Sequence, residues 1–83
     1  MAARPAYGRP VKRSVTIAGH QTSISLEPIY WQALERAAAA KAVPLNALIA
    51  RVDSQRHDSR PTPSLTSALR QWLLREALGG AQD

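Results

Sequence analysis

Polar side chains alternate with mainly apolar ones between residues 21 and 26. The polar residues are Gln21, Ser23 and Ser25, and the residues between them are Thr22, Ile24 and Leu26. This two-residue period predicts a β-strand over about residues 20–26, with one hydrogen-bonding face and one face for a core. The hydrogen-bonding face is either the water-exposed side of an antiparallel sheet or a surface that contacts a ligand.

Residues suited to catalysis or metal binding are few. The two histidines, His20 and His57, lie far apart in sequence and the chain has no cysteine, so we expect no metal site. Hydroxyl groups near residue 64 suit the capping of a helix better than nucleophilic catalysis. With only six acidic residues and no glycine-rich phosphate loop, we expect no enzyme activity, no catalytic residue and no cofactor.

Positive charge is concentrated at the start of the chain. The net charge is +5, and four basic residues precede the first acid, Glu27; they are Arg4, Arg9, Lys12 and Arg13. Because residues 1–11 also contain proline and glycine, we expect them to form a flexible basic arm. On charge alone, the arm is equally well explained as a solubilising tail or as a contact for a polyanion, with nucleic acid favoured over membrane.

Residues 12–18 contain a second, shorter alternation, with Val15 and Ile17 two residues apart. Gly19 and His20 then interrupt it as a bulge or a bend. The pattern leaves two alternatives open: one long kinked strand, or a short extra strand before the principal one.

Three amphipathic segments follow the strand and predict helices over about residues 28–42, 45–56 and 64–78. Pro28 suits a first helical turn, Pro44 separates the first two helices, and the polar segment 57–63 predicts a loop. We therefore expect one domain over residues 12–78 and a flexible tail over residues 79–83. No apolar run approaches the roughly 20 residues that cross a bilayer, so we expect a cytoplasmic bacterial protein.

Two stretches of sequence carry a resemblance to a known family. TSISLEP, followed by an amphipathic helix and LNALIARV, resembles the ribbon-helix-helix DNA-binding family, to which the Arc and methionine repressors belong. The longer run RSVTIAGHQTSISLEPIYWQAL, residues 13–34, is similar to a bacterial subfamily with an RSVTIAGH lead-in to the strand.

The resemblance implies a mostly α fold with one β-strand. That strand pairs antiparallel with its copy in a second chain, over a helical dimer core, and an additional C-terminal helix follows. The pairing also gives the lone strand partners for its backbone groups. The residues expected in the dimer core are Ile24, Leu26, Trp31, Leu34, Leu45, Leu48, Ile49 and Val52.

The resemblance also implies a homodimer that binds double-stranded DNA, as a transcriptional regulator on the bacterial nucleoid. The base-contacting positions of the family correspond to Gln21, Ser23 and Ser25. Phosphate contacts are expected from the backbone amides of Leu45 and Asn46, from Lys12 and Arg13, and further out from Arg4 and Arg9 in the arm. Many family members have serine or threonine at the position of Pro44, so a hydroxyl contact is missing there.

The C-terminal helix supports an alternative function. Residues 64–78 exceed the minimal motif, and family members often carry a tail that binds a partner protein. The chain is then an interaction module, such as an antitoxin or an adaptor, that docks through this helix. The simpler interpretation is that Leu65, Leu69, Trp72 and Leu73 extend the core.

Overall fold

The computed structural model describes residues 7–79 of the 83-residue chain. The elements in chain order are β1 (Val11–Ile17), β2 (His20–Leu26), α1 (Pro28–Ala40), α2 (Leu45–Arg56) and α3 (Leu65–Ala77). The two strands form one antiparallel sheet, and the helices pack against one another and against one face of that sheet. The expectation of a mainly helical chain with three helices is confirmed.

A two-residue turn joins the strands into a hairpin. Ile17 pairs with His20 next to the turn, and the register runs to Val11 opposite Leu26. The turn residues Ala18 and Gly19 have φ angles of 51° and 82°. Positive φ at both positions is the pattern of a type I′ turn, which matches the twist of paired strands. Residues 12–17 therefore belong to an extra strand and Ala18 to the turn, which resolves the question that the sequence left open.

The hairpin corrects the expected pairing of the ribbon. We expected a single strand that pairs with its copy in a second chain, but β2 pairs with β1 of the same chain. The physical reason is the turn: Gly19 adopts a left-handed conformation without a steric penalty, so the chain reverses within two residues. One edge of β2 thus finds its hydrogen-bonding partner without a second molecule.

A single chain encloses the hydrophobic core. Its buried residues are Val15, Ile24, Leu26, Trp31, Leu34, Ala38, Leu48, Ile49, Val52, Leu69 and Leu73. These include every residue assigned from the sequence to a dimer core except Leu45, which is partly buried. Because α3 contributes Leu69 and Leu73, it covers core surface that the ribbon and the first two helices leave open.

Local sequence explains where the helices begin and end. Pro28 opens α1, and the chain leaves it through Ala42, whose φ is 57°. The amide of Val43 donates to the Ala38 carbonyl and that of Ala42 to the Ala39 carbonyl, both at 3.0 Å, which is the Schellman arrangement. At α3, the Ser64 hydroxyl oxygen accepts from the Ser67 amide at 3.1 Å and caps the helix.

Two sets of contacts fix the helices relative to the ribbon and to each other. The Trp31 indole is buried in the core, and its Nε1 donates to the Val11 carbonyl at 2.9 Å, joining α1 to β1. Between α1 and α3, Glu27 pairs with Arg70 at 3.2 Å and Lys41 pairs with Glu76 at 3.5 Å. Within residues 7–79, no helix has the length and apolar character needed to span a membrane.

Candidate nucleic-acid interface

Six side chains project from the side of the hairpin that faces away from the helices. They form the outer ribbon face, which comprises Lys12, Ser14, Thr16, Gln21, Ser23 and Ser25, and all of them are exposed. The register places Lys12 opposite Ser25, Ser14 opposite Ser23, and Thr16 opposite Gln21. Because directly opposed residues of an antiparallel pair share one face, the three expected base-contacting residues lie beside three residues of β1.

The inner ribbon face holds this surface in place. Alternate residues of the same strands turn towards the helices, where Val15, Ile24 and Leu26 are buried in the core. A slip of one residue in the register would expose these side chains and bury the polar ones. The hydrophobic core therefore determines which six side chains point outwards.

The outer ribbon face consists of hydrogen-bonding groups. Four residues carry hydroxyls, Gln21 carries an amide and Lys12 carries an ammonium group. A hydroxyl can donate or accept, and an amide side chain can do both at once. The surface has one positive charge and no negative one. It can therefore form many hydrogen bonds with a polyanionic ligand without charge repulsion.

Lys12 and Arg13, which are both predicted to contact phosphate, have side chains on opposite faces of β1. Lys12 belongs to the outer ribbon face, whereas the Arg13 guanidinium stacks over the Trp31 ring, 4.5 Å from its centroid. Arg13 also pairs with Glu35 of α1 at 3.1 Å, and its side chain is 41% exposed. The arrangement uses Arg13 to hold β1 against α1.

The first turn of α2 contains backbone amides without an acceptor inside the helix. Pro44 is the N-cap and forms no side-chain cap, while the amides of Ala47 and Leu48 donate to the Pro44 carbonyl at 3.0 and 3.1 Å. Leu45 and Asn46 precede them in the first turn, where amides have no acceptor within the helix. Asn46 is exposed and Leu45 is partly buried. These two amides, at the positive end of the helix, suit an anionic oxygen.

The basic arm is described only in part. Arg9 is exposed just before β1, whereas Arg4 and the rest of residues 1–6 lie outside the described residues, as do residues 80–83. Gly8 lies against the ring of Pro28: a Cβ built on Gly8 would come within 3.0 Å of the Pro28 Cδ. The described end of the arm therefore runs past the start of α1.

Ser14 and Thr16 belong to the outer ribbon face but were not recognised from the sequence. Their signal was present, since KRSVTI alternates with the same period as β2 and Gly19 follows two residues after Ile17. Reading these features together as a hairpin would have identified both residues.

One further group of side chains fixes the region just after β2. The pKa of Glu27 is lowered from its ordinary value, mainly because its own backbone amide donates to the carboxylate and also because Arg70 donates to it.

In the described part of the chain, no group of three histidine, cysteine, aspartate or glutamate residues could hold a metal ion.

Comparison with protein families matches residues 10–77 to the family described as ribbon-helix-helix domain. The matched segment contains nearly all of the described structure, from just before β1 to the end of α3. Comparisons with curated proteins and with solved structures found no match.

Proposed function

Because this chain belongs to the ribbon-helix-helix family, whose members are typically dimeric DNA-binding regulators or antitoxins, we propose that it is a homodimeric, sequence-specific DNA-binding protein. Its role is transcriptional regulation on the bacterial nucleoid, in the cytoplasm. The family is generally non-catalytic, which agrees with this role. The observation that carries the proposal is the outer ribbon face, on which six polar side chains from two paired strands project away from the core.

The dimensions of the hairpin suit the major groove of DNA. A two-stranded ribbon fits this groove, which is about 12 Å wide, and there each base pair presents a distinct set of donors and acceptors. Residues 12–16 extend over about 13 Å at about 3.3 Å per residue, the length of about four base pairs at 3.4 Å each. One hairpin can therefore contact a short half-site.

Gln21 provides the strongest discrimination on this face. Its amide can accept from N6 and donate to N7 of adenine at the same time. A hydroxyl can either donate or accept, so it can bond to several different bases. Ser23 and Ser25 read less selectively for this reason, and Ser14 and Thr16 add two further hydroxyls from β1. The surface combines one selective residue with four adaptable ones.

Phosphate contacts supply affinity and orientation without reading sequence. Lys12 lies on the outer ribbon face, the amides of Leu45 and Asn46 are available at the start of α2, and Arg9 and Arg4 extend the basic charge along the arm. A dimer carries a formal charge of +10, from 2 × 5. Each phosphate that is neutralised steepens the dependence of log K on log salt by about 0.9.

The test is selection of bound sequences from a random pool of double-stranded DNA, at two salt concentrations. We expect a preferred half-site in the parent protein and its loss in the triple variant Gln21→Ala, Ser23→Ala, Ser25→Ala. The matched control is Ser54→Ala, Gln55→Ala, Ser59→Ala, which removes the same side-chain types from exposed positions away from the ribbon. Circular dichroism establishes that both variants fold.

Two outcomes contradict the proposal. One is a parent protein that enriches no sequence at either salt concentration. The other is a triple variant that retains the preference of the parent, because base reading then does not depend on β2.

A further inference from the structure

Large apolar side chains remain exposed on α1 and α3. Ile29 of α1 is 70% exposed and Leu74 of α3 is 61% exposed, and both line the same hollow between the two helices. A single exposed apolar residue is ordinary, but apolar residues that cluster around a hollow indicate a surface that binds a partner. The chemistry of this surface determines which kind of partner it fits.

The hollow belongs to a longer groove between the two helices, which we name the α1/α3 groove. Two adjoining hollows of ≈ 480 and ≈ 420 Å³ form it. Its apolar lining comprises Ile29, Ala33 and Ala37 from α1, and Leu73, Leu74 and Ala77 from α3. The small alanine side chains leave room between the large ones, so side chains of a partner can insert there.

The shape of the α1/α3 groove suits a helix. Its walls are helices, so it has no strand edge that could pair with an extended peptide. A helix satisfies its own backbone hydrogen bonds and can therefore lie on an apolar surface. From Ile29 to Ala37, α1 rises about 12 Å, which is slightly more than two helical turns. A partner helix with apolar residues at i, i+4 and i+7 matches this length.

The charges in the groove lining favour an acidic partner. Arg70 pairs with Glu27 at 3.2 Å. Glu76 pairs with Lys41 at 3.5 Å. The remaining charged residue of the lining, Arg36, is exposed and forms no ion pair within residues 7–79. A carboxylate from a partner can pair with Arg36, and the net charge of +5 on the chain also attracts an acidic molecule.

A second copy of this chain matches these charges less well. It carries the same net positive charge, and its Glu76 already has Lys41 as a partner. Two copies also have another place to meet, because β1 covers only one edge of β2 in the two-stranded sheet. The other edge leaves backbone groups available for strand pairing, as the sequence resemblance implies. The α1/α3 groove is therefore not needed for contact between copies.

We propose that the α1/α3 groove binds an acidic amphipathic helix of another protein. The apolar stripe of that helix packs on Ile29 and Leu74, and a carboxylate on its flank pairs with Arg36. The site differs from docking through α3 alone, because α1 supplies one wall and the unpaired charge. The groove shares no residue with the outer ribbon face, so DNA and the partner helix can be bound at the same time.

The first experiment selects peptides that bind the full-length chain from a displayed library. The library members are helical peptides of about 14 residues, or four turns. We expect the selected peptides to share apolar residues at i, i+4 and i+7 together with aspartate or glutamate on one flank. Selection of no peptide, or of peptides with basic flanks, would overturn the proposal.

A substitution in the groove tests where the selected peptide binds. Leu74→Glu should weaken binding by at least about tenfold, because it brings a charge into an apolar contact. The variant should stay folded because Leu74 is mostly exposed. Ala39→Glu is the control, since it places the same charge at an exposed position of α1 outside the groove lining. Unchanged binding by Leu74→Glu, or an equal loss in the control, would overturn the proposal.

A charge exchange tests the contact with Arg36. Arg36→Glu should weaken binding of the acidic peptide by about threefold, the size expected of an exposed ion pair. A peptide with lysine in place of its acidic residue should bind this variant more tightly than it binds the parent. Arg51→Glu is the control, because Arg51 is exposed on α2 and lies outside the groove lining. A lysine peptide that prefers the parent chain would overturn the acidic specificity.

Sedimentation equilibrium distinguishes the partner helix from a second copy. We expect the peptide to leave the association of two chains unchanged. A peptide that dissociates a dimer of the parent chain, together with a Leu74→Glu variant that no longer dimerises, would assign the groove to a second copy and overturn the proposal.

The proposal and the proposed function can fail separately. Leu74→Glu should retain the DNA sequence preference of the parent chain, because Leu74 lies outside the outer ribbon face. A parent chain that selects a DNA sequence but no peptide overturns the groove site alone. A parent chain that selects acidic helical peptides but no DNA sequence supports the groove site and contradicts the proposed function.

Discussion

The two faces of the β-ribbon come from alternate residues of the same strands, yet they differ in almost every property. On the inner face, Val15, Ile24 and Leu26 are buried against the helices. On the outer face, every side chain is polar and exposed. Folding therefore depends mainly on one face, while the other remains free to change with little cost in stability.

The difference extends to neighbouring residues with the same charge. Lys12 projects from the outer face, whereas Arg13 lies over Trp31 and pairs with Glu35. Basic residues next to each other in sequence can thus have separate roles when they occupy a strand. The expected phosphate contacts of both residues remain predictions, and the alternation of side chains gives Arg13 a structural contact that Lys12 lacks.

The largest expected effect comes from the inner face. Ile24→Ala should lower the free energy of unfolding by about 2–5 kcal/mol, because it leaves a cavity in a core where Ile24 is 3% exposed. Substitution of the neighbouring residue on the outer face, Ser23→Ala, should change the free energy of unfolding by less than about 0.5 kcal/mol. Urea denaturation measures both. Similar losses from the two variants would refute the division between the faces.

The adjacent basic residues provide a second, smaller contrast. Arg13→Ala should lower the free energy of unfolding by about 1 kcal/mol, because it removes a cation–π contact and a solvent-screened ion pair. Lys12→Ala should leave stability nearly unchanged but reduce the slope of log K against log salt by about 0.9 per chain. Thermal denaturation and a salt titration of DNA binding distinguish the two. A loss of stability in Lys12→Ala together with a reduced salt slope in Arg13→Ala would contradict the assignment of both residues to their faces.

The turn that aligns the two faces should accept a stabilising substitution. Ala18→Asn should raise the free energy of unfolding by about 0.5 kcal/mol, since asparagine tolerates positive φ better than alanine and Asn-Gly favours this turn. Ala39→Asn is the control, because Ala39 lies within α1, where asparagine is the weaker helix former. Melting temperatures should therefore shift in opposite directions. A lower melting temperature for Ala18→Asn would argue against the hairpin.

The smallest expected effect is a pH-dependent contribution to stability from Glu27, the residue that follows β2. The pKa of Glu27 is lowered in the folded chain. Its carboxylate therefore stabilises the fold at any pH above the pKa that Glu27 has in the unfolded chain, ordinarily 4.5. This stabilisation is lost as the pH falls through the lower pKa that Glu27 has in the folded chain. Glu27→Gln should therefore lower the melting temperature slightly at pH 7 but hardly at pH 2. An equal loss at both pH values would show that the charge of Glu27 is not responsible.

Much of the fold could be predicted from local sequence signals. The stripes of apolar residues identified the helices, and the alternation at residues 21–26 identified the faces of β2. The partner of β2 was not recognised, because a strand pattern shows which face is buried but not which chain supplies the neighbouring strand. Ser14 and Thr16 were missed because the alternation in KRSVTI and the following Gly19 were not read together as a hairpin. The roles of the candidate DNA-contacting residues remain predictions.

The sequence by itself determined the local conformations and the apolar or polar character of each face, because propensity and side-chain period act over a few residues. The tertiary structure decided which surfaces meet. The position of Arg13 against Trp31 and the hollow between α1 and α3 depend on residues up to 48 positions apart, from Ile29 to Ala77. Such contacts form only when packing brings distant segments together, so no local pattern specifies them.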